Sequence, residues 1–109
     1  MGQAAAEQYL CAQGFTILAR NFRARYGEID LIIRDGNYIV FVEVKYRANL
    51  SYGYPREAVG YIKQQRIYKT ACYYISKHGL SDCDFRFDVV EIMDKKGMLQ
   101  VTHIQDAFS

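Results

Sequence analysis

At 109 residues the chain is long enough to bury a core without staples and short enough to be one domain, taken as residues 1–109. Half of its residues are hydrophobic, which excludes a disordered chain, and a net charge of +2 is too mild to name a nucleic-acid partner by itself. No run approaches membrane-spanning length, MGQAAAEQYL lacks the basic region and long apolar stretch of a signal peptide, and three cysteines without C-x-x-C spacing fit a reducing cytoplasm.

Residues 2–13 read as a helix: Ala4, Ala5 and Ala6 are strong helix formers, and Gly14 is placed to cap the end. Ala6, Tyr9, Leu10 and Gln13 fall at helical spacing, and Glu7 reads as part of a solvated face. Residues 15–23 read as a strand, with Phe15, Ile17 and Ala19 alternating against Thr16 and Leu18. Arg20, Arg23 and Arg25 follow as a basic shoulder. Arginine binds phosphate bidentately, but here it can equally neutralise Glu28 or Asp30, and the sequence does not separate the two roles.

The stretch Gly27–Arg47, GEIDLIIRDGNYIVFVEVKYR, reads as two strands joined by a tight turn. Its apolar run suits strands covered on both faces, yet it carries Glu28, Asp30 and Glu43, residues that strands disfavour. Side chains alternate along a strand, so Glu28 shares a face with Asp30, and Glu43 with Lys45. A two-residue loop at Asp35-Gly36, a strong hairpin signal, puts all four polar side chains on one face. A four-residue loop from Asp35 to Tyr38 sets Asp30 opposite Glu43, again on one face. A three-residue loop from Asp35 to Asn37 sends Glu43 to the other side. Like charges opposed on one face need a neutralising ion, and hard oxygen donors suit Mg²⁺ or Mn²⁺. Lys45 at the rim is placed to hold a water or a phosphate.

After Arg47, ANLSYGYP reads as a loop whose Tyr52 and Tyr54 either stack on bases or anchor the loop. A helix is expected from Pro55 to about Lys77, ended by Gly79. A helical wheel gives it an apolar face of Ala58, Tyr61, Ile62, Tyr68, Ala71, Cys72 and Ile75. Opposite lies a basic stripe of Arg56, Lys63, Arg66 and Lys77, about 30 Å long. Residues 84–94 and 99–104 read as two further strands turned at Lys96-Gly97, with Asp88 in a structural ion pair, Arg86 being one partner within reach. His78 and His103 lack partners at metal-ligand spacing, and the three cysteines read as small buried thiols.

Asp30 followed on the next strand by Glu43-Val44-Lys45 resembles the acid…acid-X-Lys signature of the PD-(D/E)XK nuclease superfamily. More narrowly, the stretches RNFRARYGEIDLI, VFVEVKYR, PREAV with KQQRI, and FRFDVVEI resemble the YraN family, described as endonuclease-like and distantly similar to archaeal Holliday junction resolvases. The resemblance implies a three-layer, restriction-endonuclease-like α/β fold with a mixed central sheet flanked by helices. It implies Mg²⁺- or Mn²⁺-dependent hydrolysis of phosphodiester bonds in nucleic acid, with DNA the expected polymer. On that reading Asp30 and Glu43 hold the metal, the Val44 carbonyl adds a ligand, Lys45 acts on the attacking water, and Glu28 stands behind them. Arg20, Arg23, Arg25, Arg47, Lys63 and Arg66 would meet phosphates, and Gln64 would position substrate or water. The family pattern has a Glu in the first helix where this chain has Gln3, with Glu7 one turn on. That departure favours a second reading, a nucleic-acid-binding module that keeps the fold with weak catalysis or none. A purely structural interaction domain is a third reading, but three carboxylates facing one lysine are not balanced. The oligomeric state is left open, a homodimer included.

Overall fold

A computed structural model describes residues 2–47 and 59–108. In chain order these form α1 (Gly2–Ala12), β1 (Thr16–Ala24), β2 (Gly27–Asp35), β3 (Tyr38–Arg47), α2 (Tyr61–His78), β4 (Asp84–Lys95) and β5 (Met98–Phe108). The strands make one mixed sheet in sequence order. Only β3 and β4 run parallel, with α2 as their crossover; the other neighbours are antiparallel.

The apolar runs of β2 and β3 are covered on both faces, which is why they alternate so little. On one face Ala6 and Leu10 of α1 pack against Leu31, Ile33, Val40, Val42, Val90 and Ile92. On the other, Ile67, Ala71 and Tyr74 of α2 pack against Ile32, Ile39, Phe41 and Val89. The result is a three-layer α/β fold, compatible with a restriction-endonuclease-like one.

The hairpin turns one residue later than its strongest signal. Asp35 pairs with Tyr38, leaving Gly36-Asn37 as the loop, and Gly36 takes φ 60° at the first loop position. Leu31 therefore pairs with Val42, and the same register sets Asp30 opposite Glu43, as a loop from Asp35 to Tyr38 requires. The β4–β5 turn falls at Lys96-Gly97, where both residues take positive φ.

The second helix differs most from expectation. It starts at Tyr61, not Pro55, because Gly60 caps it in an extended conformation; residues 48–58, which include Tyr52, Tyr54 and Arg56, lie outside the described residues. Its end at Gly79 is as expected, with φ 63° and Leu80 N–H reaching Ile75 O at 3.0 Å. Its inward face is rotated from the wheel's and shares only Ala71 and Ile75 with it among the described residues. Ile67, Thr70, Ala71 and Tyr74 are buried, whereas Tyr61 and Ile62 are 71% and 64% exposed, and Tyr68 and Cys72 also face outward. Thr70 tolerates burial because its hydroxyl donates to Arg66 O at 2.8 Å. The thiols are free, and Cys11 and Cys72 are exposed rather than buried.

On β4, in register with Val42 of β3, Asp88 is fully buried and holds β4 to β5. It accepts two hydrogen bonds from Arg86, at 2.9 and 3.0 Å, and one from the Asp106 N–H at 2.9 Å, and it lies 2.7 Å from His103 Nε2. His103 thus has a structural partner. Among the described residues no helix is long and apolar enough to cross a membrane.

Candidate functional site

Asp30 and Glu43 stand on the face of the sheet that α2 covers, in phase with Ile32 on β2 and with Ile39 and Phe41 on β3. The β2–β3 ladder ends at Leu31 with Val42; just beyond it, the Val44 N–H donates to Asp30 Oδ2 at 2.8 Å. A carboxylate thus takes the place of a backbone acceptor. A residue's N–H and C=O leave a strand on the same edge, so the Val44 carbonyl faces the same gap.

Glu43 is only 6% exposed. Burial pushes its carboxyl up to about 7, a hydrogen bond and charge repulsion from Asp30 push the same way, and Lys63 opposes them. Glu43 Oε2 lies 3.0 Å from Lys63 Nζ but has no partner of hydrogen-bonding geometry among the described residues. Burial also lowers the pKa of Lys45, and the neighbouring Lys63 ammonium lowers it further, against the pull of Glu43 and Asp30. Burial would lower Lys63 too, but its bonds with Lys45 and Glu43 and the charges of Glu43 and Asp30 outweigh that, so it stays cationic. Two carboxyl groups and two amines therefore share one half-buried spot. It opens into a cavity of ≈ 410 Å³ lined by Glu28, Asp30, Glu43, Lys63, Arg66 and Ile67.

Lys63 was expected on the outer stripe. It lies instead on the inward face of α2, two turns from Ile67 and Thr70 at most, because an acidic patch on the sheet draws the helix cation in. Arg66 is exposed and lines the cavity, beside Gly27, where α2 crosses closely: a Cβ on Gly27, at φ 155°, would lie 3.5 Å from both Arg66 Cβ and Thr70 Oγ1.

The other expected residues separate. Glu28 lines the cavity but pairs with Arg23 at 2.9 Å. Arg20 pairs with Glu7 at 2.7 Å, so Glu7 is neither merely solvated nor turned to the carboxylate pair; α1 packs on the opposite face of the sheet. Arg25 lies over the Tyr26 ring, 5.9 Å from its centroid. Arg47, expected at a phosphate, turns inward, its side chain 12% exposed and 2.9 Å from Glu91. Gln64, expected at substrate, donates to Val59 O at 2.8 Å and ties down the start of α2.

Glu91 was not anticipated. It is buried on β4 in register with Lys45, and its Oε2 has no partner of hydrogen-bonding geometry among the described residues. The signal was available: an acid inside the apolar run VVEIM, the same anomaly that marks Glu43.

Among the described residues no three His, Cys, Asp or Glu side chains gather to hold a metal ion. The pair Asp30–Glu43 still fits a small hard cation. Its donors are oxygens only, one of them is buried with the Lys63 ammonium 3.0 Å away as its counter-charge, and Mg²⁺ commonly uses one or two carboxylates and completes its shell with water and phosphate.

A model of the uncharacterised protein family UPF0102 matches residues 2–92. A UPF0102 protein of Clostridium acetobutylicum is 52% identical over 84% of this chain and 75% of its own length. One from Acetivibrio thermocellus is 48% identical over 99% and 88%, and one from Thermodesulfovibrio yellowstonii 46% identical over 98% and 91%.

Proposed function

The chain belongs to the uncharacterised protein family UPF0102, and we propose that it hydrolyses phosphodiester bonds in nucleic acid, with DNA as the polymer, in the manner of a PD-(D/E)XK nuclease. The observation that carries this reading is the Glu43 carboxyl: buried against Asp30, raised to about 7, 3.0 Å from the Lys63 ammonium and close enough to Lys45 to act on its charge. Such a pair is costly for folding alone, because each carboxyl makes the other harder to ionise. It is the arrangement that a divalent cation relieves.

Asp30 and Glu43 would hold Mg²⁺ or Mn²⁺, with the Val44 carbonyl on the same strand edge. When bound, such an ion lowers the pKa of a coordinated water and neutralises charge on the phosphate. Lys45 orients the attacking water and stabilises charge developing on the phosphate; its lowered pKa eases transfer of a proton at Nζ. Lys63 supplies the compensating charge against Glu43 and is free to move to a phosphate oxygen once another cation takes over that role. Arg66, exposed at the cavity mouth, anchors the strand by its phosphate. A cytoplasmic location belongs to this reading.

A binding module without useful catalysis is the second reading. It is favoured by the lack of a third metal-ligating side chain at the pair among the described residues. Calorimetric titration with Mn²⁺ tests the site. Binding by the parent chain that is lost in Glu43→Gln supports the metal-dependent reading. A parent that binds no Mn²⁺ overturns it.

A further inference from the structure

A groove leads away from the carboxylate pair along the seam between α2 and the β1–β2 turn. From the cavity holding Asp30 and Glu43 it passes Gly27, Ile62 and Arg66 into a space of ≈ 590 Å³ walled by Arg25, Tyr26, Gln65 and Lys69. It continues past Tyr26 into one of ≈ 360 Å³ beside Tyr73 and Lys77. Its charge changes sign on the way. Beyond Glu28, which Arg23 neutralises, the charged residues of the wall are Arg23, Arg25, Arg66, Lys69 and Lys77, with no carboxylate among the described residues.

Two tyrosines alternate with these cations. Tyr26 is 46% exposed, with Lys69 Nζ 5.5 Å and Arg25 Cζ 5.9 Å from its ring centroid. Tyr73 is backed by the Phe22 ring at 6.1 Å and carries Lys77 Nζ at 5.8 Å. Cations alone suit any polyanion. Exposed rings among them suit a strand whose bases are unstacked, since a duplex hides its base faces. Stacking a base on an aromatic ring is worth roughly tenfold in affinity, whereas a cation over an exposed ring is worth only a few-fold. A base therefore displaces Lys69 or Arg25 from Tyr26, and the released cation is left beside the next phosphate. From Lys63 to Lys77 the helix rises about 21 Å, room for several nucleotides.

We propose that this groove is a track for a single-stranded nucleic-acid segment, with Tyr26 as its stacking platform and Arg25, Arg66 and Lys69 on its phosphates, delivering the strand to Asp30 and Glu43. The delivery rests on the hydrolytic reading; the binding does not. The test is fluorescence anisotropy of the full chain in EDTA, so that no metal-dependent cleavage occurs, with labelled oligothymidylate, oligouridylate and a blunt duplex of equal length. Either single strand binds roughly tenfold or more tighter than the duplex, and the ratio between the two names the polymer. Tyr26→Ala, at an exposed turn, loses roughly tenfold on the single strand and little on the duplex, while Tyr26→Phe retains the parent's affinity. Lys69→Ala lowers the single-strand salt slope by about 0.7. Equal affinity for duplex and single strand, or a Tyr26→Ala chain that binds like the parent, overturns the track. A parent that holds single strands through Tyr26 yet cleaves nothing with Mg²⁺ sustains the track and overturns hydrolysis. One that cleaves duplex, with Tyr26→Ala indifferent, overturns the track alone.

Discussion

Replacing Glu43 with glutamine removes one charge from a buried carboxyl pair, and the structure gives the sign and size of the effect. Glu43 holds its proton up to about pH 7 in the folded chain, against 4.5 ordinarily. Between those values the folded state keeps a proton that the unfolded state has released. Stability therefore falls as pH rises through the window, the opposite of a salt-bridged carboxylate. Carried over the whole window, the loss amounts to roughly 3 kcal/mol, a large part of the stability of a small domain. Glutamine keeps the shape and a donor toward Asp30 but does not titrate. Urea unfolding of parent and Glu43→Gln at pH 5 and pH 8 reads the difference. The two chains should be of similar stability at pH 5, and the variant should be the more stable at pH 8, by up to about 3 kcal/mol. A divalent cation competes with the proton for the same oxygens, so Mn²⁺ should restore the parent at pH 8 and leave the variant unchanged. Parallel stability curves for the two chains would refute the reasoning, because Glu43 would then titrate alike folded and unfolded.

Lys45→Ala should leave Mn²⁺ binding and most nucleic-acid affinity in place while cleavage falls by roughly two orders of magnitude, measured as metal titration, binding and cleavage on one preparation. Arg66→Ala should reduce the duplex salt slope by about one, whereas Lys63→Ala should act first at the carboxyl pair, raising the Glu43 pKa further because Lys63 now opposes that rise; carboxyl NMR titration separates the two. Burial by itself would raise the Asp88 pKa, but hydrogen bonds from His103, Arg86 and the Asp106 N–H hold it below the ordinary value. Its contribution is thus present above about pH 4 and lost as pH falls through the lowered value, and Asp88→Asn should cost about 2 kcal/mol at pH 7 in urea unfolding, since the buried Arg86 then keeps Asp35 as its charged partner but loses the carboxylate it meets through two bonds.

The acidic hairpin was legible because strand alternation is strict: once Asp30 and Glu43 fall on one face, any helix laid on that face must meet them. The turn was legible only as a set of alternatives, since Asp35-Gly36 and Gly36-Asn37 are both acceptable loop pairs and the ladder beyond them decides. The orientation of α2 was not legible from apolar periodicity. The wheel counted Tyr61, Ile62, Tyr68 and Cys72 as inward, yet all four are exposed. The inward positions are Ile67, Thr70, Ala71 and Tyr74; of these the wheel's face held only Ala71, and Thr70 bears a hydroxyl that a wheel scores as polar. Lys63 turns inward because the sheet offers carboxyl groups there, a property of another segment of the chain. The arginines show the same limit: Arg20, Arg23 and Arg47 each have an acid within 3 Å, and only the folded chain brings Glu7 and Glu91 to them.

The measurement closest to the central claim is cleavage itself, with the purified chain incubated with Mg²⁺ or Mn²⁺ and a panel of linear, single-stranded, flapped and four-way DNA. The structure predicts scission that requires the metal, is abolished in Asp30→Ala and Glu43→Ala, and is strongest on substrates with an unpaired strand. Scission that persists in both variants, or none on any member of the panel with either metal, would contradict it.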